Sequence, residues 1–113
     1  MAFYLVLARP VPDRLQELAT KLGQRAFVEL RPFGRSLTDS LQGARRMPDG
    51  TVVWEEEDYC RPPLAQEREA VLDRYFEEIS VEPVERGRGW ERIEQLPALF
   101  PALAQSLIDG KDR

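Results

Sequence analysis

Six consecutive apolar residues near the start of the chain, Phe3-Tyr4-Leu5-Val6-Leu7-Ala8, constrain its fold more than any other stretch. A run this short, unbroken by polar residues and closed by Arg9-Pro10, reads as a central strand buried on both faces. Successive strand side chains point to opposite sides of a sheet. A sheet built around this run therefore needs cover on each face. Helices on one side can serve one set of side chains, and the other set calls for a C-terminal helix or a second subunit.

The next residues supply the first cover. Pro12 and Asp13 open a helix, Leu15, Leu18, Ala19 and Leu22 form its buried stripe, and Gly23 ends it after Lys21 in the last turn. Ala26-Phe27-Val28-Glu29-Leu30-Arg31 reads as a second strand, with alternation from Val28, ended by Pro32-Phe33-Gly34. Beyond it, Ser36 with Asp39 has capping-box spacing and Leu37 with Leu41 fits one helical turn. A short helical turn and then a strand near 42–47 are expected there.

Pro48-Asp49-Gly50 has turn chemistry, and Thr51-Val52-Val53-Trp54 supplies β-branched and aromatic strand residues. In that strand Val52, Trp54, Glu56 and Asp58 share one face, and Val53, Glu55, Glu57 and Tyr59 the other. Both faces begin apolar and end acidic, so the strand is expected to leave the core near Glu55. After Arg61-Pro62-Pro63, a helix starting near Pro63 places Leu64, Arg68, Val71, Leu72, Tyr75, Phe76 and Ile79 on one side. Arg74 is then in reach of Glu77 or Glu78. Residues 80–85 read as a strand that Pro83 confines to an edge or bulge. Arg86-Gly87-Arg88-Gly89 reads as a basic loop, and Trp90, Ile93 and Leu96 as helical turns. A terminal helix over 96–110 has Phe100, Leu103, Leu107 and Ile108 on one face, and 111–113 should fray. The order predicts a single α+β domain over 1–113, a ferredoxin-like βαβ-β-αβ sandwich with additional C-terminal helices.

Composition closes several chemistries. The chain has no histidine, which excludes Ser-His-Asp and Cys-His catalysis and imidazole metal ligation. A single cysteine makes no intrachain disulfide and no all-thiolate zinc site. A net charge of −4 argues against general binding to nucleic acid or anionic membrane. The apolar run at 3–8 is too short for a signal core or a membrane span, so a cytoplasmic protein is expected.

The residues left for chemistry cluster in one segment. Glu56, Asp58, Tyr59 and Cys60 are the candidate catalytic groups; Glu55, Glu57, Arg86, Arg88 and Trp90 are the candidate binding groups. Four acids in a row offer oxygen ligands to a hard cation, but alternation lets at most two converge and no EF-hand spacing surrounds them. A solvated strand end is expected, with no metal and no cofactor. Cys60 precedes a helix start beside Arg61, which favours a thiolate. Without a histidine base, a structural thiol is the expectation. Arg86, Arg88 and Trp90 have a composition suited to phosphates or bases, yet 82–94 holds three arginines against four glutamates. Segment 31–46 balances at +3 and 49–58 at −5, so Arg45 or Arg46 is expected opposite a glutamate. These features predict a non-enzymatic binding or assembly module, a homodimer or one docking a partner protein. A small carboxylate or thiol enzyme using residues 55–60 is the alternative, and nucleic-acid binding through 86–90 a weaker one.

Overall fold

The computed structural model describes residues 2–104. Leu107, Ile108 and the tail 111–113 lie outside them. The apolar run forms β1 (Ala2–Pro10) inside a four-stranded sheet with β2 (Arg45–Arg46), β3 (Val52–Asp58) and β4 (Phe76–Val84). The strand order is β2-β3-β1-β4, every pair antiparallel. β1 pairs along its length with β3, from Ala2 opposite Asp58 to Ala8 opposite Val52. Leu5, Val6 and Ala8 are buried, with Phe3, Tyr4 and Leu7 half-buried.

One face lies under helices. A 3₁₀ turn (Pro12–Arg14) leads into α1 (Leu15–Gly23), followed by α2 (Gly34–Gln42). A continuous helical run then comprises α3 (Ala65–Glu67), a π turn (Arg68–Leu72) and α4 (Asp73–Tyr75). Their buried side chains, Leu18, Leu22, Leu37, Leu41 and Leu72 among them, meet Val6, Val52 and Trp54 of the sheet. On the opposite face Leu5 and Val53 pack against Ile93 of α5 (Arg88–Ile93), with Trp90 and Leu96 alongside. The expected cover for this face was a C-terminal helix or a second subunit. Instead Leu99, Phe100 and Leu103 join the first core beside Gln16, Ala19 and Thr20 of α1. α5 covers Leu5 and Val53 on this face, and Leu7, Met47 and Val84 beside them stay half-buried.

The expected strand at 26–31 is a series of turns. Arg25 sits at φ 54°, and the N–H of Leu30 donates to Phe27 O and that of Gly34 to Leu30 O. Phe27, Leu30 and Phe33 recur every third residue and pack on the core. That spacing suits turns, and it overrides the alternation begun at Val28. α2 runs nine residues with no side-chain cap, so the Ser36/Asp39 box is not used. The strand at 42–47 shortens to two residues, but the turn forms as its chemistry predicts: Gly50 N–H donates to Met47 O at 2.9 Å, with Gly50 at φ 91°. Arg45 and Arg46 face Val53 and Val52 rather than a glutamate, and the Arg45 guanidinium donates to Leu96 O at 2.7 Å.

The helix at 65–75 also differs from its expected face. Glu67 is buried where Arg68 was expected, and Arg68 is exposed. Tyr75 ends the helix, so Phe76 and Ile79 belong to β4. Arg74 pairs with Glu17 at 2.7 Å, not with Glu77 or Glu78, and Tyr75 Oη donates to the same carboxylate at 2.6 Å. Those hydrogen bonds, Arg74 first, lower the Glu17 pKa to about 2. Pro83 sits on the edge strand β4, where its missing N–H costs no sheet bond on the free side. No helix of the described residues is long and apolar enough to cross a membrane.

Candidate functional site

Strand alternation divides the four acids of β3. Far from leaving the core, Glu55, Glu56 and Asp58 are all buried. Glu55 points to the face under α5, where its Oε1 accepts the N–H groups of Gly89 at 2.8 Å and Trp90 at 3.4 Å, and its Oε2 that of Gly87 at 2.9 Å. These are unpaired donors at the start of α5, so Glu55 anchors that helix. Glu57 is half-buried and accepts from Tyr59 Oη at 2.7 Å, which raises the pKa of the exposed phenol.

Glu56 and Asp58 share the opposite face. Glu56 is fully buried; its Oε1 accepts from Trp54 Nε1 at 3.1 Å, and its Oε2 has no partner. Burial, and then the charge of Glu67, push its pKa well above the usual carboxylate range. Asp58 closes the strand and accepts the Leu64 N–H at 2.5 Å on Oδ2. Leu64 holds φ 64°, a left-handed conformation leucine seldom adopts. Its buried side chain and the bond to Asp58 fix it there.

Glu67 comes from α3 to meet Asp58. Burial lifts the Glu67 pKa to about 7, with the hydrogen bond to Asp58 adding to the shift. Burial acts in the same direction on Asp58, yet donors from Leu64 N–H, the Glu67 carboxyl and the Cys60 and Tyr59 N–H groups outweigh it and hold Asp58 below its ordinary value. Glu67 thus keeps its proton well above the ordinary carboxylate range, and Asp58 accepts the hydrogen bond. Cys60 Sγ lies 3.8 Å from Glu67 Oε1. The Gln66 N–H favours its thiolate, but burial and the Asp58 and Glu67 charges together raise the thiol pKa. The helix-start N–H is the largest single influence, but burial and the two carboxylates together outweigh it.

One ligand atom each from Asp58, Cys60 and Glu67 lie within 4.8 Å of one another. They open into a cleft of about 150 Å³ walled by Pro32, Phe33, Ser36, Glu57, Tyr59 and Gln66. A second, shallower hollow of about 230 Å³ shares Ser36 and Glu57 with it and adds Phe3, Ser40, Glu55, Arg86 and Trp90. Asp58, Tyr59 and Cys60 thus converge on the first hollow, and Arg86 and Trp90 on its neighbour. The Arg86 guanidinium lies 5.9 Å from the Phe3 ring centre. Arg88 is elsewhere, paired with Glu91 at 3.0 Å. Glu56 stays beneath the cleft.

The sequence pattern does not single out Glu67. The signal was present in its spacing, three residues after Leu64 and four before Val71, which places it on the same helix face as these two buried residues. A carboxylate there must find a polar neighbour inside the fold, and Asp58 and Cys60 are the groups in reach. The chain matches no protein-family model, no curated protein and no solved structure.

Proposed function

We propose that this protein is a small binding module whose ligand carries positive charge and enters the cleft over Asp58, Cys60 and Glu67. One observation carries the reading: three side chains able to ligate a cation converge at a cleft floor, with buried Glu56 below and no basic side chain paired to them among the described residues. Among the described residues, none of the ion pairs involves Glu56, Asp58 or Glu67. Buried carboxylates are normally paired or bound to a cation. The arrangement suits capture of a ligand more than support of the fold. A ferredoxin-like fold accompanies this reading, supported by the strand order β2-β3-β1-β4, the antiparallel pairing and the helices joining β1 to β2 and β3 to β4. The unpaired thiol of Cys60 suits a reducing, cytoplasmic setting.

The test is thermal unfolding with Mg²⁺, Mn²⁺, Zn²⁺ or putrescine as probes, on the wild type and on Asp58→Asn. A ligand at a hundred times its Kd adds about 2.7 kcal/mol of stability. For a chain of this size that is roughly 10 °C in Tm. At least one probe should raise the wild-type Tm and lose that effect in Asp58→Asn. No shift with any probe, or a shift that survives the substitution, defeats the reading.

A further inference from the structure

The cleft floor also constrains which cation fits. Its three ligands come from two neighbouring elements: Asp58 from the end of β3, Cys60 two residues on, and Glu67 from α3. Their ligand atoms are gathered within 4.8 Å, and the Cys60 Sγ to Glu67 Oε1 separation is 3.8 Å. A second observation is independent of this trio. Glu56, on the same face of β3 as Asp58, is fully buried and leaves Oε2 without a hydrogen-bond partner. The charges acting on it most strongly are those of Glu67 and then Asp58. An orphaned buried carboxyl oxygen calls for an explanation, and an ion held beside it is one.

We propose that Asp58, Cys60 and Glu67 hold a zinc-class divalent cation, with the fourth coordination position open to the cleft. This rests on the cation-binding reading above and names its chemical class. Bond lengths of about 2.0–2.3 Å set tetrahedral ligand separations at about 3.3–3.8 Å. The sulfur–oxygen pair is already at that limit, and the widest separation closes by about 1 Å, within reach of small side-chain rotations. A sulfur ligand favours a borderline ion such as Zn²⁺ or Co²⁺ over the hard Mg²⁺ and Ca²⁺. Calcium needs six to eight oxygens, on the order of twice what this corner supplies, since Asp58 Oδ2 is engaged by the Leu64 N–H. Three protein ligands with one position free is the pattern of sites that keep a water or a substrate on the metal. Glu56 lies behind the ligands as a positioning residue that does not touch the ion.

The experiment is Co²⁺ titration of the full chain, followed by visible and near-ultraviolet absorption and by equilibrium dialysis. One ion per chain should bind, with a thiolate-to-cobalt charge-transfer band, and equimolar Zn²⁺ should displace it. Cys60→Ser should abolish the band and weaken binding at least tenfold. Glu67→Gln should weaken it at least tenfold, and Glu56→Gln should weaken it by roughly ten- to a hundredfold while keeping the band, as outer groups do. Circular dichroism checks that each variant is folded. Co²⁺ bound without the band, or equally tight binding by Cys60→Ser, overturns the metal class and leaves the cation reading standing. A band that persists unchanged in both Asp58→Asn and Glu67→Gln means the thiol binds alone, and the site is refuted. Absence of any shift with the four thermal probes defeats both proposals together.

Discussion

Glu55→Gln should destabilise the fold by about 2–4 kcal/mol, although the two side chains are nearly the same shape. In the wild type Oε1 accepts from Gly89 and Trp90 and Oε2 from Gly87, all backbone donors at the entry to α5. Glutamine keeps one oxygen. If that oxygen stays on Gly89 and Trp90, the new NH₂ faces the Gly87 N–H, donor against donor. A hydrogen bond to a charged acceptor is worth about 1.5–3 kcal/mol, and the remaining two weaken when the charge is removed. Because α5 covers Leu5 and Val53, its loosening also wets the second sheet face. Urea denaturation followed by circular dichroism gives the stability, and Trp90 emission should shift to the red as the helix loosens. Gly89→Ala acts at the same point: an added Cβ would sit 2.9 Å from Glu55 Oε1 and 3.2 Å from Leu5 Cδ1. The two substitutions share partners, so their effects should not add. A loss below about 0.5 kcal/mol for Glu55→Gln would refute the anchor and return Glu55 to the role of a surface acid.

Other expectations are more direct. Leu72→Ala removes a fully buried side chain and should cost about 2–5 kcal/mol in chemical denaturation, and a cost under about 0.5 kcal/mol would mean the helix is packed otherwise. Cys60, its thiol pKa raised, should label slowly with a thiol reagent at neutral pH and faster on unfolding; rapid native labelling would contradict the site's electrostatics. In the metal-free chain Glu67 binds its proton more tightly when folded, at about 7 against an ordinary 4.5, so its stabilising effect is full below 4.5 and lost as pH rises through 7. That loss is at most about 3 kcal/mol, reduced by the opposite shift of Asp58. With no histidine in the chain, no imidazole titrates in the same window. Urea midpoints between about pH 5 and pH 8 should fall for the wild type and fall less steeply in Glu67→Gln, where the raised Glu56 still contributes, and a midpoint that rises with pH would reject the assignment.

What was legible in the sequence is what short-range chemistry decides. The β1 run, the Pro48-Asp49-Gly50 turn and the edge position of Pro83 each depend on a few adjacent residues, and each holds. Residues 26–31 were not legible because Val28 and Leu30 fit alternation while Phe27, Leu30 and Phe33 fit a spacing of three. The choice belongs to the core those rings pack on. The acids were misread for a related reason. Hydropathy sends Glu55 to solvent, but its partners lie 32 to 35 residues further along, and no local pattern announces them.

The same alternation that divides the acids separates the two kinds of work they do. On the α5 side Glu55 has a donor for each oxygen, and its burial is repaid by ordering a helix end. On the other side Glu56, Asp58 and Glu67 are buried without a basic partner among the described residues, and Leu64 is held at φ 64° where its N–H reaches Asp58. A fold shaped for stability alone would place apolar side chains there, since burying unpaired carboxyls costs several kcal/mol on the order of the whole margin of a small domain. The orphan oxygen of Glu56 is the clearest part of that cost. A cation bound between Asp58, Cys60 and Glu67 would offset the charge gathered at this corner, where no ion pair among the described residues reaches these carboxyls. Stability gained on metal addition and absent from the Asp58 and Glu67 variants is the outcome this argument requires.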